Sequence, residues 1–216
     1  MRRLTFLCGY FGSGKSEVAV NLAIRRRVGY LVDLDIVNPY FRSREADKPL
    51  RDAGVNVVSS PLKDAIYADM PYLSKDVFKP FYDKESTAIF DLGGNDLGAT
   101  LLRQFRDLAA AEPVDLFLVV NVYRDDTSTP DSLIALIGAI EDAGGIRVTG
   151  LVNNANLLRD TTYEEVAAGE AVLTAVAART GLPVVFTAIP ETIYDPARKV
   201  SGEPLPLKLY LRQSWL

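Results

Sequence analysis

Eight consecutive residues, Gly9-Tyr10-Phe11-Gly12-Ser13-Gly14-Lys15-Ser16, fit the pattern G-x-x-x-x-G-K-S. Each residue type in it suits an anion. Glycines such as Gly9, Gly12 and Gly14 let the backbone curl until successive N–H groups point inward at phosphate oxygens. A helix opening at Lys15 would add the positive end of its dipole. Lys15 brings a compact cation to the outer phosphates, and the Ser16 hydroxyl can ligate magnesium. Ser13 and Glu17 complete the stretch expected to touch the ligand. A glycine-rich run is by itself also an ordinary tight turn. Context favours the phosphate reading, because an apolar strand precedes the run and an amphipathic helix follows it.

Carboxylates suited to the same chemistry recur downstream. Thr87-Ala88-Ile89-Phe90-Asp91 is an apolar strand ending in an acid, the arrangement that holds magnesium through water. It continues as Asp91-Leu92-Gly93-Gly94, in which the Gly94 N–H can sense a terminal phosphate and move when that group leaves. Alone, Asp91 would equally suit a helix cap or a turn. Asp33-Leu34-Asp35 closes another apolar run, and alternation puts both acids on one face at the carboxyl end of a sheet. There, one can orient an attacking water and the other support the metal shell. Solubilising acids in a loop are the plainer alternative.

The elements that must position these residues follow from hydrophobic patterning. Short, almost continuously apolar runs mark strands at Leu4 to Cys8, Tyr30 to Leu34, Val55 to Val58, Ala88 to Leu92, Leu116 to Asn121, Val148 to Val152 and Val184 to Ala188. Helices are expected at Lys15 to Arg27, Gly98 to Ala111, Pro130 to Ala143 and Tyr163 to Arg179, with stops at Gly29, Pro113, Gly144-Gly145 and Gly181. Their alternation predicts an α/β fold, a mostly parallel sheet of about seven strands flanked by helices.

One domain over residues 1–216 is expected, with two irregular regions. Residues 61–86 are rich in proline and aromatics, including Tyr67, Pro71, Tyr72, Phe78, Phe81 and Tyr82. They form either an insertion packing its rings on the sheet or a partner or substrate surface. Residues 190–216 read as an extended tail whose apolar end, Leu205 to Leu216, docks on the same chain or on a second copy.

Composition removes whole classes of activity. There is no histidine, so histidine triads, imidazole zinc sites and a histidine general base are excluded. The single cysteine, Cys8, excludes an internal disulfide and fits a reducing cytosol. A net charge of -4 argues against nucleic acid or membrane as a partner. Arg25-Arg26-Arg27 suits a helix C-terminus. Arg2 and Arg3 before Leu4 to Cys8 imitate an export signal, but the apolar stretch is too short for one. A cytoplasmic protein is expected.

Taken together, these motifs resemble the SIMIBI class of P-loop NTPases, and within it the MinD/ParA/CobQ-type nucleotide-binding proteins. The matching pieces are Gly9 to Ser16, Asp33-Leu34-Asp35, Asp91 to Gly94 and Leu151-Val152-Asn153-Asn154, in the family's order. The resemblance implies ATP with magnesium, Lys15 and Ser16 at the phosphates, Asp35 near the attacking water and Asp91 in the metal's outer shell. It further implies Asn153 at the adenine and Ala188-Ile189-Pro190-Glu191 as the loop closing over the base. Tyr10 stands where many of these ATPases carry an extra lysine that crosses a dimer, so the likeness does not extend to that contact.

Guanine selection in related proteins uses N-K-x-D. Here Asn153-Asn154-Ala155-Asn156 replaces both lysine and carboxylate with amides, which favours adenine; turn chemistry after a strand is the alternative. Three functions are compatible with these residues. The first is a slow magnesium-dependent ATPase switch, turning over at roughly 10⁻⁴ to 10⁻² per second without an arginine finger; Arg42 or Arg44 is a candidate built-in finger. The second is a small-molecule kinase or ligase. The third is a non-hydrolysing, nucleotide-gated adaptor with a protein partner or homodimer.

Overall fold

In this computed structural model, residues 1–35, 46–59, 73–94 and 96–211 are described. Eight strands form one parallel sheet in the order β3-β2-β4-β1-β5-β6-β7-β8. The strands are β1 (Leu4–Cys8), β2 (Tyr30–Leu34), β3 (Asn56–Ser59), β4 (Ala88–Leu92), β5 (Asp115–Val120), β6 (Gly150–Asn153), β7 (Val184–Pro190) and β8 (Glu203–Leu207). The helices are α1 (Lys15–Arg26), α2 (Asp47–Asp52), α3 (Lys79–Tyr82), α4 (Asp96–Leu102), α5 (Arg106–Ala111), α6 (Pro130–Gly144) and α7 (Tyr163–Thr180).

Both faces of the sheet are covered, which is why its central strands read as unbroken apolar runs. Alternation splits each strand between two cores. Phe6 and Phe90 point to the side carrying α4, α6 and α7, and Leu7 and Ile89 to the side carrying α1 and α2. On the first side Phe6 and Phe90 stack with centroids 4.3 Å apart, and Phe81 and Phe105 close the cluster. The aromatics Phe78 and Phe81 thus pack on the sheet. Tyr82 is exposed, and Tyr67, Pro71 and Tyr72 lie outside the described residues.

Two differences from the expected elements have physical causes. The helix expected from Gly98 to Ala111 is broken by a tight 3-10 turn at Arg103–Phe105 that carries the fully buried Phe105 into the aromatic cluster. The proline-rich tail also contributes an eighth strand. Pro204 and Pro206 have no N–H to donate, which bars β8 from the middle of a sheet but not from its edge, where it pairs with β7. Leu205, Leu207 and Leu211 are buried against α1 and β7 of the same chain, so up to Leu211 the tail packs on its own body.

The ends that aim the loops are secured locally. α6 and α7 start with capping boxes at Thr129/Ser132 and Thr162/Glu165. They stop at Gly145 and Gly181, both left-handed.

Candidate functional site

The loop from Gly9 to Gly14 joins the C-terminal end of β1 to the start of α1, at the carboxyl edge of the sheet where ligands bind in such folds. It is folded back on itself by a bond from the Ser13 N–H to the Tyr10 carbonyl, 3.1 Å. Gly14 caps α1 in the left-handed region, at φ 82°, without a side-chain capping bond. A helix leaves its first N–H groups without intrahelical partners, so those of α1 face the loop's hollow. Gly9 is equally constrained: a Cβ there would sit 2.4 Å from the Val119 carbonyl oxygen on β5.

Lys15 is buried, and its ammonium faces Gly94, where an added Cβ would lie 2.9 Å from Nζ. The two segments that would sense an outer phosphate therefore already touch. Asp91 is buried alongside. Burial pushes its carboxyl up to about 7, and Asp33 and Asp35 push the same way; Lys15 and a hydrogen bond with Ser16 oppose them. Its Oδ1 has no hydrogen-bond partner among the described residues, and neither has the Ser13 hydroxyl.

The two aspartates of the second strand are not equivalent. Asp33 sits beside Asp91 in the β2–β4 register and is buried. Asp35 lies past the strand end, half-buried, its N–H donating to Asp33 Oδ1 at 3.1 Å. Asp33 is thus the closer neighbour of Asp91. Arg42 and Arg44 fall outside the described residues. Cys8, at the end of β1, is buried, donates to the Phe117 carbonyl and is pushed up to about 12 by burial, which leaves it an unreactive thiol.

Beyond the loop a cleft runs on, lined by Gly12, Gly14, Arg124, Asn154, Leu158 and Pro190 among others. Its floor is a network of asparagine amides. Asn154 donates to the Ser13 carbonyl at 2.7 Å, tying the β6 loop to the glycine loop. Asn156 donates to the Asn154 carbonyl and accepts from the Leu158 N–H. Asn121, at the end of β5, donates to the Asn156 carbonyl and accepts from the N–H groups of Tyr123 and Asn156.

Asn153, expected at the base, instead lies beneath this floor. It is fully buried, its amide donating to the Val166 carbonyl and its oxygen accepting from the Ala155 N–H. Asn154 and Asn156 line the cleft in its place. The deciding variable is strand phase: Asn153 is the last residue of β6, turned inward, and Asn154 is the first beyond it. Pro190 does line the cleft, at the end of β7.

The far wall was not legible in the sequence. Leu207 and Leu209 line the cleft, held there by two side chains of α1. Glu17 accepts from the N–H groups of Tyr210 and Leu211, 2.5 and 3.1 Å. Asn21 exchanges two hydrogen bonds with the backbone of Lys208, as a strand neighbour would. Glu17 therefore fastens the tail as well as lining the cleft. At the rim Leu158 holds a left-handed φ of 58°, uncommon for a residue with a branched side chain.

No protein-family model and no curated protein matches the chain. Solved structures do. The cell division protein FtsY of Thermotoga maritima is similar over 86% of this chain and 61% of its own, at 17% identity and a TM-score of 0.54. The signal recognition particle receptor FtsY of Elizabethkingia anophelis is similar over 86% and 57%, at 15% identity and a TM-score of 0.52. The chain spans about three-fifths of the length of these structures. The likeness is one of fold: a parallel sheet flanked by helices, as in P-loop NTPases. Among the described residues no helix is long and apolar enough to cross a membrane.

Proposed function

We propose that this chain binds a nucleoside triphosphate, preferably ATP with magnesium, and hydrolyses it slowly as a switch of the MinD/ParA/CobQ type. The observation that carries the reading is the meeting of Lys15, Gly94 and Asp91 at the open N-terminus of α1. A buried ammonium beside a curled backbone suits the β- and γ-phosphates. Gly94, in contact with both Lys15 and Phe11, is placed to register the loss of the outer one.

Magnesium fits the residues present. Asp91 offers a buried oxygen without a partner, and Ser16 bonds the same carboxylate. Among the described residues no group of three or more acidic, cysteine or histidine side chains is arranged to hold a metal unaided, so the ion would share phosphate oxygens and water. Once bound it neutralises phosphate charge. This chain's part is to favour the Asp91 carboxylate through Lys15, against the burial that raises it, and to hold Asp33 and Asp35 where a water can be oriented.

The preference for adenine rests on the cleft's lining. The only carboxylate there among the described residues is Glu17, which already accepts two backbone N–H groups. Guanine's N1–H and exocyclic amine call for a charged double acceptor, and an amide is a weaker substitute. Calorimetric titration with ATP and GTP, with and without magnesium, followed by phosphate release, tests the reading. It predicts magnesium-dependent ATP binding, weaker GTP binding and turnover on the order of 10⁻⁴ to 10⁻² per second. Absence of binding to either nucleotide would refute it.

One observation favours a second reading, phosphoryl transfer to a small acceptor. A mostly apolar cavity of about 210 Å³ opens against Gly9, Gly93 and Gly94, between α4 and α6. It adjoins the outer-phosphate end of the cradle and has room for a small organic molecule. Phosphate appearing on an added metabolite, instead of free in solution, would select this reading over the switch.

A further inference from the structure

Among the described residues that line the cleft, Arg124 is the only cation, and it lies against the cradle. Its Nε donates to the Gly12 carbonyl at 3.2 Å. A Cβ added at Gly12 would fall 3.0–3.2 Å from Nε, Cζ and Nη2, so the guanidinium lies directly over that glycine. It lines the same cleft as Gly12, Gly14 and Asn154, at the junction of the phosphate cradle with the asparagine floor.

The loop that carries it is built to hold it there. The Arg124 N–H donates to the Asn121 carbonyl, and the fully buried Thr127 hydroxyl donates to the carbonyls of both Asn121 and Arg124. Asn121 is in turn a hub of the floor. Among the described residues no carboxylate lies within ion-pairing distance of Arg124, despite Asp125 and Asp126 next in the chain. A guanidinium has five N–H donors in a planar fork, and among the described residues a single one is engaged by protein.

We infer that Arg124 is a nucleotide-binding residue, a pre-positioned cation that contacts the nucleotide's phosphate chain from the β5 side while Lys15 contacts it from the α1 side. The inference rests on the nucleotide reading above. It assigns the charge that an N-K-x-D lysine would have brought to a different loop, and it does not depend on Arg42 or Arg44. The absence of any side chain at Gly12 then has a second cause: even a methyl group would displace the guanidinium.

The test is ATP affinity of the full chain by calorimetry, for wild type and for Arg124→Ala, Arg124→Gln and Arg124→Lys, with unfolding temperature recorded without nucleotide. Arg124 is solvent-exposed, so the variants should unfold within a few degrees of wild type. A charge-assisted bond of this kind supports a ten- to hundredfold weakening in Arg124→Ala. Arg124→Lys should recover most of that loss and Arg124→Gln little. Wild-type affinity in Arg124→Ala, or equal recovery by glutamine and lysine, would overturn the assignment, because charge would then be irrelevant. If wild type itself binds no nucleotide, the nucleotide reading and this inference fall together. If wild type binds ATP and only the Arg124 series is flat, this inference alone is lost.

Discussion

The two ends of the cleft are assembled by opposite strategies. The end proposed to take phosphates is written in eight consecutive residues, with a strand before and a helix after. The end proposed to take the base is gathered from distant loops: Asn121 after β5, Asn154 and Asn156 after β6, Pro190 closing β7, and the tail around Leu207 and Leu209. The first needs little beyond local geometry. The second exists only when the sheet has brought its strands into register. Asn154 joins them, its amide being the strut between floor and cradle.

The contrast can be broken most severely at Gly14. In Gly14→Ala a Cβ would stand 2.3 Å from Asn154 Nδ2, at a φ that L-residues rarely adopt. Strain of about 1–3 kcal/mol is expected in the fold, and ATP affinity should fall at least a hundredfold. Calorimetry and thermal unfolding measure the two effects separately. Retention of tight binding would show that the cradle does not need its left-handed cap.

Asn154→Ala tests the strut. It leaves the Ser13 carbonyl without its donor, at a cost of about 1–3 kcal/mol, and should weaken ATP roughly tenfold while pyrophosphate weakens less. Equal losses for both ligands would mean that the floor serves the phosphates alone.

Asp91 sharpens the comparison through pH. A carboxyl raised from 3.8 to about 7 binds a proton more readily in the folded state. Its contribution is therefore least unfavourable below pH 4 and becomes costly as pH rises towards 7. Asp91→Asn should accordingly stabilise the nucleotide-free protein at pH 8, by up to about 4 kcal/mol, with the gain vanishing near pH 4. The same variant should lose magnesium-dependent binding. Denaturant titrations across pH check the first effect, and a variant no more stable than wild type at pH 8 would contradict it.

The smallest effect is expected at the tail. Glu17→Gln replaces a charged acceptor of two backbone N–H groups by a neutral one, costing about 1 kcal/mol. Hydrogen exchange of residues 207–211 should quicken, and discrimination between ATP and GTP should narrow, with pyrophosphate binding unchanged. Loss of pyrophosphate binding would instead place Glu17 in the cradle.

How much could be read beforehand follows the same divide. The sheet's inner strands were legible because burial on both faces leaves unbroken apolar runs such as Ala88 to Leu92. The glycine loop between β1 and α1 was legible because its spacing is contiguous. Asn153 and Asn154 were not separable, since one residue of strand phase decides which faces the cleft. Asn121 and Arg124 carried no local signal, because what places them at the cleft is hydrogen bonding to residues more than thirty and more than a hundred positions away. β8 was hidden by its own prolines, which in sequence resemble an extended tail and in space suit an edge strand. Asp33 and Asp35 were expected together at the strand end; the register sets Asp33 opposite Asp91, and Asp35 lies past the end of β2.

The most direct test of the central claim is a paired titration of wild type and Lys15→Ala with magnesium ATP. The account predicts measurable binding by wild type and at least a hundredfold weaker binding by the variant, both proteins folded. Indistinguishable titrations of the two, or a wild type silent towards both ATP and GTP, would contradict it.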